Sequence, residues 1–208
     1  DDNSPDGTWN VVQNVSKKNK NVHLLLRKTD KGRGAAGKDG FIYCLKKGAD
    51  IVIEMDADFS HDPENIPEML KCMKQYDVVI GSRYIKGINV VNWPLRRLLL
   101  SYFANIYARI VTGMGIRDIT AGYKCFKSNV LKKIDFSKVK SNGYSFQIEM
   151  NYIISKNKFS IKEIPIIFVD RSEGMSKMSS NIIAEALLKV IFLRLSSYKK
   201  YLKKKYGN

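Results

Sequence analysis

The sequence predicts an α/β fold in which a mostly parallel sheet is flanked by helices. Three observations carry this. Apolar runs of strand length occur at residues 22–26, 51–55 and 78–81. Stretches of helical composition, 35–47 and 63–75, separate them. The resulting order of strand, helix, strand, helix, strand closes through crossovers, which set successive strands parallel.

Residues 1–8, Asp-Asp-Asn-Ser-Pro-Asp-Gly-Thr, are turn chemistry of the kind that follows a strand. The fold is therefore expected to be N-terminally incomplete, with the chain starting part-way through it. Run 22–26 reads as a short buried strand and 31–34 as a glycine-rich turn. Segment 35–47 is helical, with Gly48 as its stop. Run 51–55 is apolar and bounded by Asp56. In 63–75, Pro63 suits a first helical turn, and Ile66, Met69, Leu70 and Met73 recur at helical spacing. Residues 78–81 form the third strand. Long helices are expected at 95–112 and 145–156. Pro165 makes 161–169 an irregular or edge strand. Residues 179–205 are amphipathic and end in a basic run, so the chain divides into 1–178 and a helix with tail at 179–208.

Composition narrows the function classes. The chain has 208 residues, 44% of them hydrophobic and 27% charged, which suits one folded domain and excludes collagen-like and disordered classes. Its 36 basic and 20 acidic residues leave a net charge of +16, so anionic partners are expected. Cys44, Cys72 and Cys125 have no paired spacing, and their odd number suits a reducing compartment. No apolar run is long enough to span a bilayer, and no signal peptide opens the chain.

The strongest chemical signal is Met-Asp-Ala-Asp-Phe-Ser-His-Asp-Pro at 55–63, directly after a strand. Ligands in open α/β sheets bind beyond the carboxyl ends of strands. Asp56 and Asp58 could share one hard cation with a diphosphate. An EF-hand is excluded, because His61 and Pro67 stand where that loop needs Gly and Glu. Residues 32–37, Gly-Arg-Gly-Ala-Ala-Gly, match the dinucleotide fingerprint literally. Five mostly charged or polar residues separate them from the strand, so the segment reads instead as a turn that starts a helix. Arg83, Arg97, Arg171 and Lys177 sit at predicted element ends, where arginine suits bidentate phosphate contacts. His23 reads as structural, and no spacing supports a nucleophilic triad.

Taken in order, these motifs resemble the polyprenol-phosphate (dolichol-phosphate) mannosyltransferases, which are family 2 glycosyltransferases of GT-A fold. The matching strings are DDNSPDGT at 1–8, KGRGA at 31–35, MDADFSHDP at 55–63, GSRY at 81–84, WPLRRLLLS at 93–101, DITAGY at 118–123, GYSFQIEM at 143–150 and VDRSEGMSK at 169–177. They are collinear and cover nearly the whole chain. The family's opening strand, helix and strand are missing, and its Gly-Leu-Gly turn reads Gly32-Arg33-Gly34.

The resemblance implies the following roles. Asp2 contacts the nucleotide, and Ala57 touches it through its backbone. Asp56 and Asp58 form the DxD pair that holds Mg²⁺ or Mn²⁺ and the diphosphate of GDP-mannose, with Ser60 as a third ligand. Arg83, Arg171 and Lys177 grip phosphates; Arg97 and Ser101 form the acceptor-phosphate site. Asp58, Arg83 and Arg171 are the expected catalytic residues. Asp118 lies in the stretch where related transferases that act on sugar hydroxyls carry a base; that duty is not assigned to it, and a structural role, such as holding Arg97 or capping a helix, stands beside it as the alternative. The implied reaction is inverting transfer of mannose to a polyprenyl or dolichyl phosphate; a UDP-glucose-type donor and a non-catalytic basic anion-binding domain are the alternatives. No nucleic-acid partner is expected. An isoprenoid acceptor places the enzyme at an anionic membrane surface, peripheral and cytoplasmic, with 182–205 as an interfacial helix. If Arg83 serves phosphates at the surface, Arg83→Lys should leave stability within about 0.5 kcal/mol.

Overall fold

The computed structural model describes residues 1–141, 143–170 and 186–196. Its main sheet contains β1 (Ile51–Glu54), β2 (Val78–Ser82), β4 (Lys124–Lys127) and β5 (Ile161–Pro165), in the order β1-β4-β2-β5. Strand β4 pairs antiparallel with both β1 and β2, while β2 and β5 are parallel. Three strands therefore run one way and β4 runs against them. The proline-bearing β5 lies on the sheet edge, as its sequence requires. A small second sheet pairs β3 (Val90–Val91) with β6 (Phe168–Val169).

Strand periodicity divides the core. Val78 and Ile80 of β2 and Phe126 of β4 face one cluster, which includes Phe41, Leu131 and Phe146. These come from helices α2 (Arg33–Lys46), α5 (Ser128–Lys132) and α6 (Gly143–Lys156). The intervening Val79 and Cys125 face the other cluster, against Met69 of α3 (Ile66–Cys72) and Met73. Helix α4 (Leu95–Thr112) matches its predicted span, bounded by Pro94 and by Gly113 in the left-handed conformation (φ 71°). Residues 186–196 form a last helix, α7, which buries Val190 and Leu193 in the larger cluster. Its Lys189 pairs with Glu149 at 3.2 Å.

Residues 22–26 do not form a strand. Among the described residues, Val22 bonds back to the Asn19 carbonyl, and the neighbouring chain offered to this segment is Asp1, whose terminal ammonium donates to the Leu25 carbonyl and whose own carbonyl accepts from the Arg27 N–H. One residue offers too little edge for a ladder. Helix α1 (Thr8–Lys18) was not predicted. Val11, Val12 and Val15 share one face at helical spacing, yet the helix buries no residue and leaves Val11 and Val15 exposed. The expected turn precedes it, with Asp6 accepting from both the N–H and the hydroxyl of Thr8. All three cysteines are free thiols. No helix among the described residues is long and apolar enough to cross a membrane.

Candidate active site

The loop after β1 carries both candidate metal-binding carboxylates. The backbone N–H of Asp56 donates to Nδ1 of His61 at 2.8 Å. His61 is buried, stacked on Tyr123 with ring centres 4.8 Å apart and edge-on to Phe168. Burial lowers its pKa below the ordinary value, and Arg33 and Arg83 push the same way against Asp56 and Asp58. A neutral ring with Nδ1 as acceptor and its proton on Nε2 fits this bond. His61 thus fixes the loop through the Asp56 backbone, and it also lines the site cavity. Asp58 accepts from the N–H and hydroxyl of Ser60 at 3.2 and 2.5 Å, and Ser60 is buried. Ala57 and Phe59 are exposed; Phe59 turns the loop at φ 63°.

Asp56 also pairs with Arg33, at 2.8 and 3.3 Å. That guanidinium lies against the bare Cα of Gly122, where an added Cβ would come within 2.2 Å of its Nη2. Arg33 stands where the resembling family has leucine, so this contact goes with the departure noted in the sequence.

Arg83 ends β2 in a mostly buried position. Its Nε and Nη2 donate to the two carboxylate oxygens of Asp118 at 2.7 and 2.6 Å, its N–H donates to Asp118 at 2.9 Å, and Nη2 also reaches Thr120. Tyr84, Trp93 and Phe168 place ring centres 5.3–5.6 Å from the guanidinium carbon. The expectation of a surface arginine, with a near-silent Lys substitution, is therefore corrected. Asp118 holds Arg83, where the structural alternative had named Arg97. Arg97 is held by Asp170 at 2.8 Å and lies 4.1 Å over the Trp93 ring.

One cavity brings Asp56, Arg83, Arg97 and Ser101 together beyond the carboxyl ends of β1 and β2. Its other wall is largely apolar: Leu100, Ala104 and Tyr107 of α4 with Leu187 and Val190 of α7. Ser101 accepts from the Tyr84 hydroxyl at 2.7 Å. Two buried donors facing this region, Nε of Arg97 and Nε1 of Trp93, have no acceptor among the described residues. Asp2 lies away from the cavity lining, bonded to the Arg27 guanidinium and to the N–H of Gly32, where it fixes the turn that opens α2. Arg171 and Lys177 lie outside the described residues. No group of three or more His, Cys, Asp or Glu could hold a metal among the described residues. The donors at hand are the oxygens of Asp56, Asp58 and Ser60, a hard set suited to Mg²⁺ or Mn²⁺.

Beneath the loop, Lys124 is completely buried and donates to Gln147, whose amide donates to Glu54 at 2.6 Å. Burial lowers the Lys124 pKa to about 8, with Glu54 opposing the shift. The unfolded chain keeps this proton to the ordinary lysine range, so it binds more protons than the native state above pH 8. Stability should rise between about pH 8 and 9, and denaturant melts of Lys124→Met should lack that rise.

Comparison with known proteins agrees with this architecture. Residues 1–135 match the glycosyl transferase family 2 model. The chain is 42% identical over 190 residues to the undecaprenyl-phosphate mannosyltransferase of Micrococcus luteus, covering 91% of this chain and 78% of that protein. It is 46% identical over 192 residues to the polyprenol monophosphomannose synthase of Mycolicibacterium smegmatis, covering 91% and 72%. Glucosyl-3-phosphoglycerate synthase of Mycobacterium tuberculosis, solved with phosphoglyceric acid, shares the GT-A fold at TM-score 0.60 and 14% identity. The match covers 94% of this chain and 66% of that one. A second structure of that enzyme, with Mn²⁺, uridine diphosphate and glucosyl-3-phosphoglycerate, matches at the same TM-score. Sequence motifs, sheet order and site position lead to one assignment: the chain belongs to glycosyl transferase family 2 and is a glycosyltransferase of GT-A fold.

Proposed function

We propose that the enzyme transfers mannose from GDP-mannose to a polyprenyl or dolichyl phosphate, with inversion and with a divalent metal ion. The cavity carries this reading. Asp56, Arg83, Arg97 and Ser101 line part of it, with the orphaned donors of Arg97 and Trp93, and largely apolar side chains of α4 and α7 line another part. A phosphate on a long hydrocarbon chain has that same division. The two mannosyltransferase relatives support the choice of sugar and acceptor.

Asp56 and Asp58 would hold Mg²⁺ or Mn²⁺, with the Ser60 hydroxyl beside Asp58. When bound, the ion supplies positive charge against the departing diphosphate. Asp2 and the Ala57 backbone serve the nucleotide in this reading, and Arg171 and Lys177 grip phosphates. Arg97, braced by Asp170 and Trp93, and Ser101, set by Tyr84, position the acceptor phosphate. A phosphate monoester with second pKa near 6 is largely a dianion at neutral pH. It needs orientation more than a general base, and the fully buried Asp118, committed to Arg83, is not placed to act as one.

The decisive measurement is transfer to polyprenyl phosphate from GDP-mannose and from UDP-glucose, with product anomer read by NMR. Transfer from UDP-glucose alone would reject the donor, and transfer from neither would reject the reaction. Arg33 competes with the ion for Asp56. Gly122→Ala should part that pair and raise metal affinity a few-fold by calorimetry, at little cost in stability, because the displaced atoms end a flexible side chain. Unchanged affinity would show that Arg33 does not compete.

We further propose that residues 1–178 are catalytic and that the enzyme sits peripherally on the cytoplasmic face of a membrane. Leu95, Leu99 and Phe103 of α4, with Leu188 and Phe192 of α7, are exposed. Exposed apolar side chains beside a basic run suit an anionic interface. Lys199, Lys200, Lys203, Lys204 and Lys205 lie outside the described residues. Phe103→Asp with Phe192→Asp should weaken sedimentation with anionic vesicles and leave the melting temperature unchanged; undiminished sedimentation would remove these helices from the contact.

A further inference from the structure

A second cavity lies on a different face of α4 from the first. It is lined by Tyr84, Tyr102, Asn105, Ile106, Arg109 and Arg117. Tyr84, whose hydroxyl bonds to Ser101, stands between the two cavities. Nothing in the proposed transfer uses the second one.

Its chemistry is that of an anion site. Two guanidinium groups line it and no carboxylate does. Neither arginine side chain has an ion pair or hydrogen bond among the described residues. Nε of Arg109 is buried with no acceptor. A buried charged donor without a partner is costly, and native structures normally satisfy one. Arg109 also stands in the last turn of α4, where a cation offsets the helix dipole. That role asks for charge alone and leaves the buried Nε–H unexplained. Asn105 does not supply the missing acceptor: its carbonyl oxygen accepts from the Ile119 N–H and its amide donates to the Ser101 carbonyl. Planar guanidinium groups match phosphate oxygens in pairs, and the +16 chain draws anions toward it. Phe103 and Ile110, on the neighbouring face of α4, are 60% and 76% exposed, so apolar chains attached to such a phosphate would have a surface to lie on.

We propose that this cavity binds a phosphate group, separately from the transfer site, through Arg109 and Arg117. The ligand is either the headgroup of an anionic lipid or a free phosphate. The proposal does not depend on the identity of donor or acceptor.

The test uses the whole chain. Titrating inorganic phosphate while observing arginine side-chain NMR signals should shift the Nε–H resonances of Arg109 and Arg117 saturably. Arg117→Gln, at an exposed position and followed on Arg109, should weaken that binding about tenfold, the scale of one charge-assisted hydrogen bond. Arg109→Lys, followed on Arg117, should weaken it similarly while keeping the charge; a merely electrostatic attraction would survive that change. No saturable shift, or a shift indifferent to both substitutions, overturns the site and leaves Arg109 only its dipole role. Flotation with phosphatidylglycerol-containing phosphatidylcholine vesicles separates the sources. A loss in both variants, together with competition by glycerol phosphate, identifies a lipid headgroup. Unchanged flotation with the phosphate shift intact identifies a free phosphate. Arg117→Gln keeps the test valid if Arg109→Lys fails to fold.

Discussion

Asp118→Asn should destabilise the enzyme by about 3–5 kcal/mol, the cost of breaking a buried ion pair from one side. Asp118 is fully buried and Arg83 is only 7% exposed. The carboxylate accepts from the N–H, Nε and Nη2 of Arg83, so both its oxygens are committed. Asparagine has nearly the same size but carries no charge. It offers one oxygen, and its NH₂ would face guanidinium donors. The Arg83 charge would remain buried against Tyr84, Trp93 and Phe168, no longer opposed by the Asp118 carboxylate. Urea melts measure the loss, and a change below about 1 kcal/mol would show that water or ring faces compensate the charge. Arg83→Lys should cost about 1–3 kcal/mol, because an ammonium cannot make the forked contact. The two residues should couple: adding Arg83→Met to Asp118→Leu should cost less than the sum of the single changes, since it removes both charges together.

This pair also shows where the sequence is silent. Asp118 and Arg83 are separated by 35 residues, and no periodicity connects them. Only the resemblance drew attention to 118–123, and even then the partner inferred was Arg97. The helix at Leu95–Thr112 is different: Pro94 and Gly113 mark its ends locally, so its span could be read directly. Strand β4 carries the opposite lesson. Lys124 and Lys127 bracket only two apolar residues, and nothing local says that Lys124 is buried. It can be, because its cross-strand neighbour is Glu54 and the Gln147 side-chain oxygen accepts its hydrogen bond. Residues 22–26 have strand composition, but among the described residues they meet Asp1 and the preceding turn rather than a partner strand. Pairing is a tertiary fact that composition cannot supply. Within the site, Asp56 and Asp58 were legible because two carboxylates after a strand are a local pattern. His61 and Arg33 were not, since one acts through a backbone N–H and the other through a glycine far along the chain.

In the proposed reaction, Asp58→Asn should lower transfer at least about a hundredfold, equivalent to about 2.7 kcal/mol of transition-state stabilisation. The substitution keeps the side-chain shape. The amide oxygen can still accept from the N–H and hydroxyl of Ser60, so the loop is expected to keep its turn. The lost feature is negative charge, which sets affinity for a hard divalent cation. The variant should therefore melt within about 0.5 kcal/mol of the parent, since Asp58 lies in a partly exposed loop. This separates it from Asp118→Asn, which should lose stability. Calorimetric titration with Mn²⁺ in the absence of donor should show weakened binding, and raising the Mn²⁺ concentration should recover part of the rate. Near-normal transfer by Asp58→Asn would remove the carboxylate pair from the reaction. Lost transfer with unchanged Mn²⁺ affinity would instead give Asp58 a direct contact with the donor, and the ion would then rest on Asp56 and ligands beyond this loop.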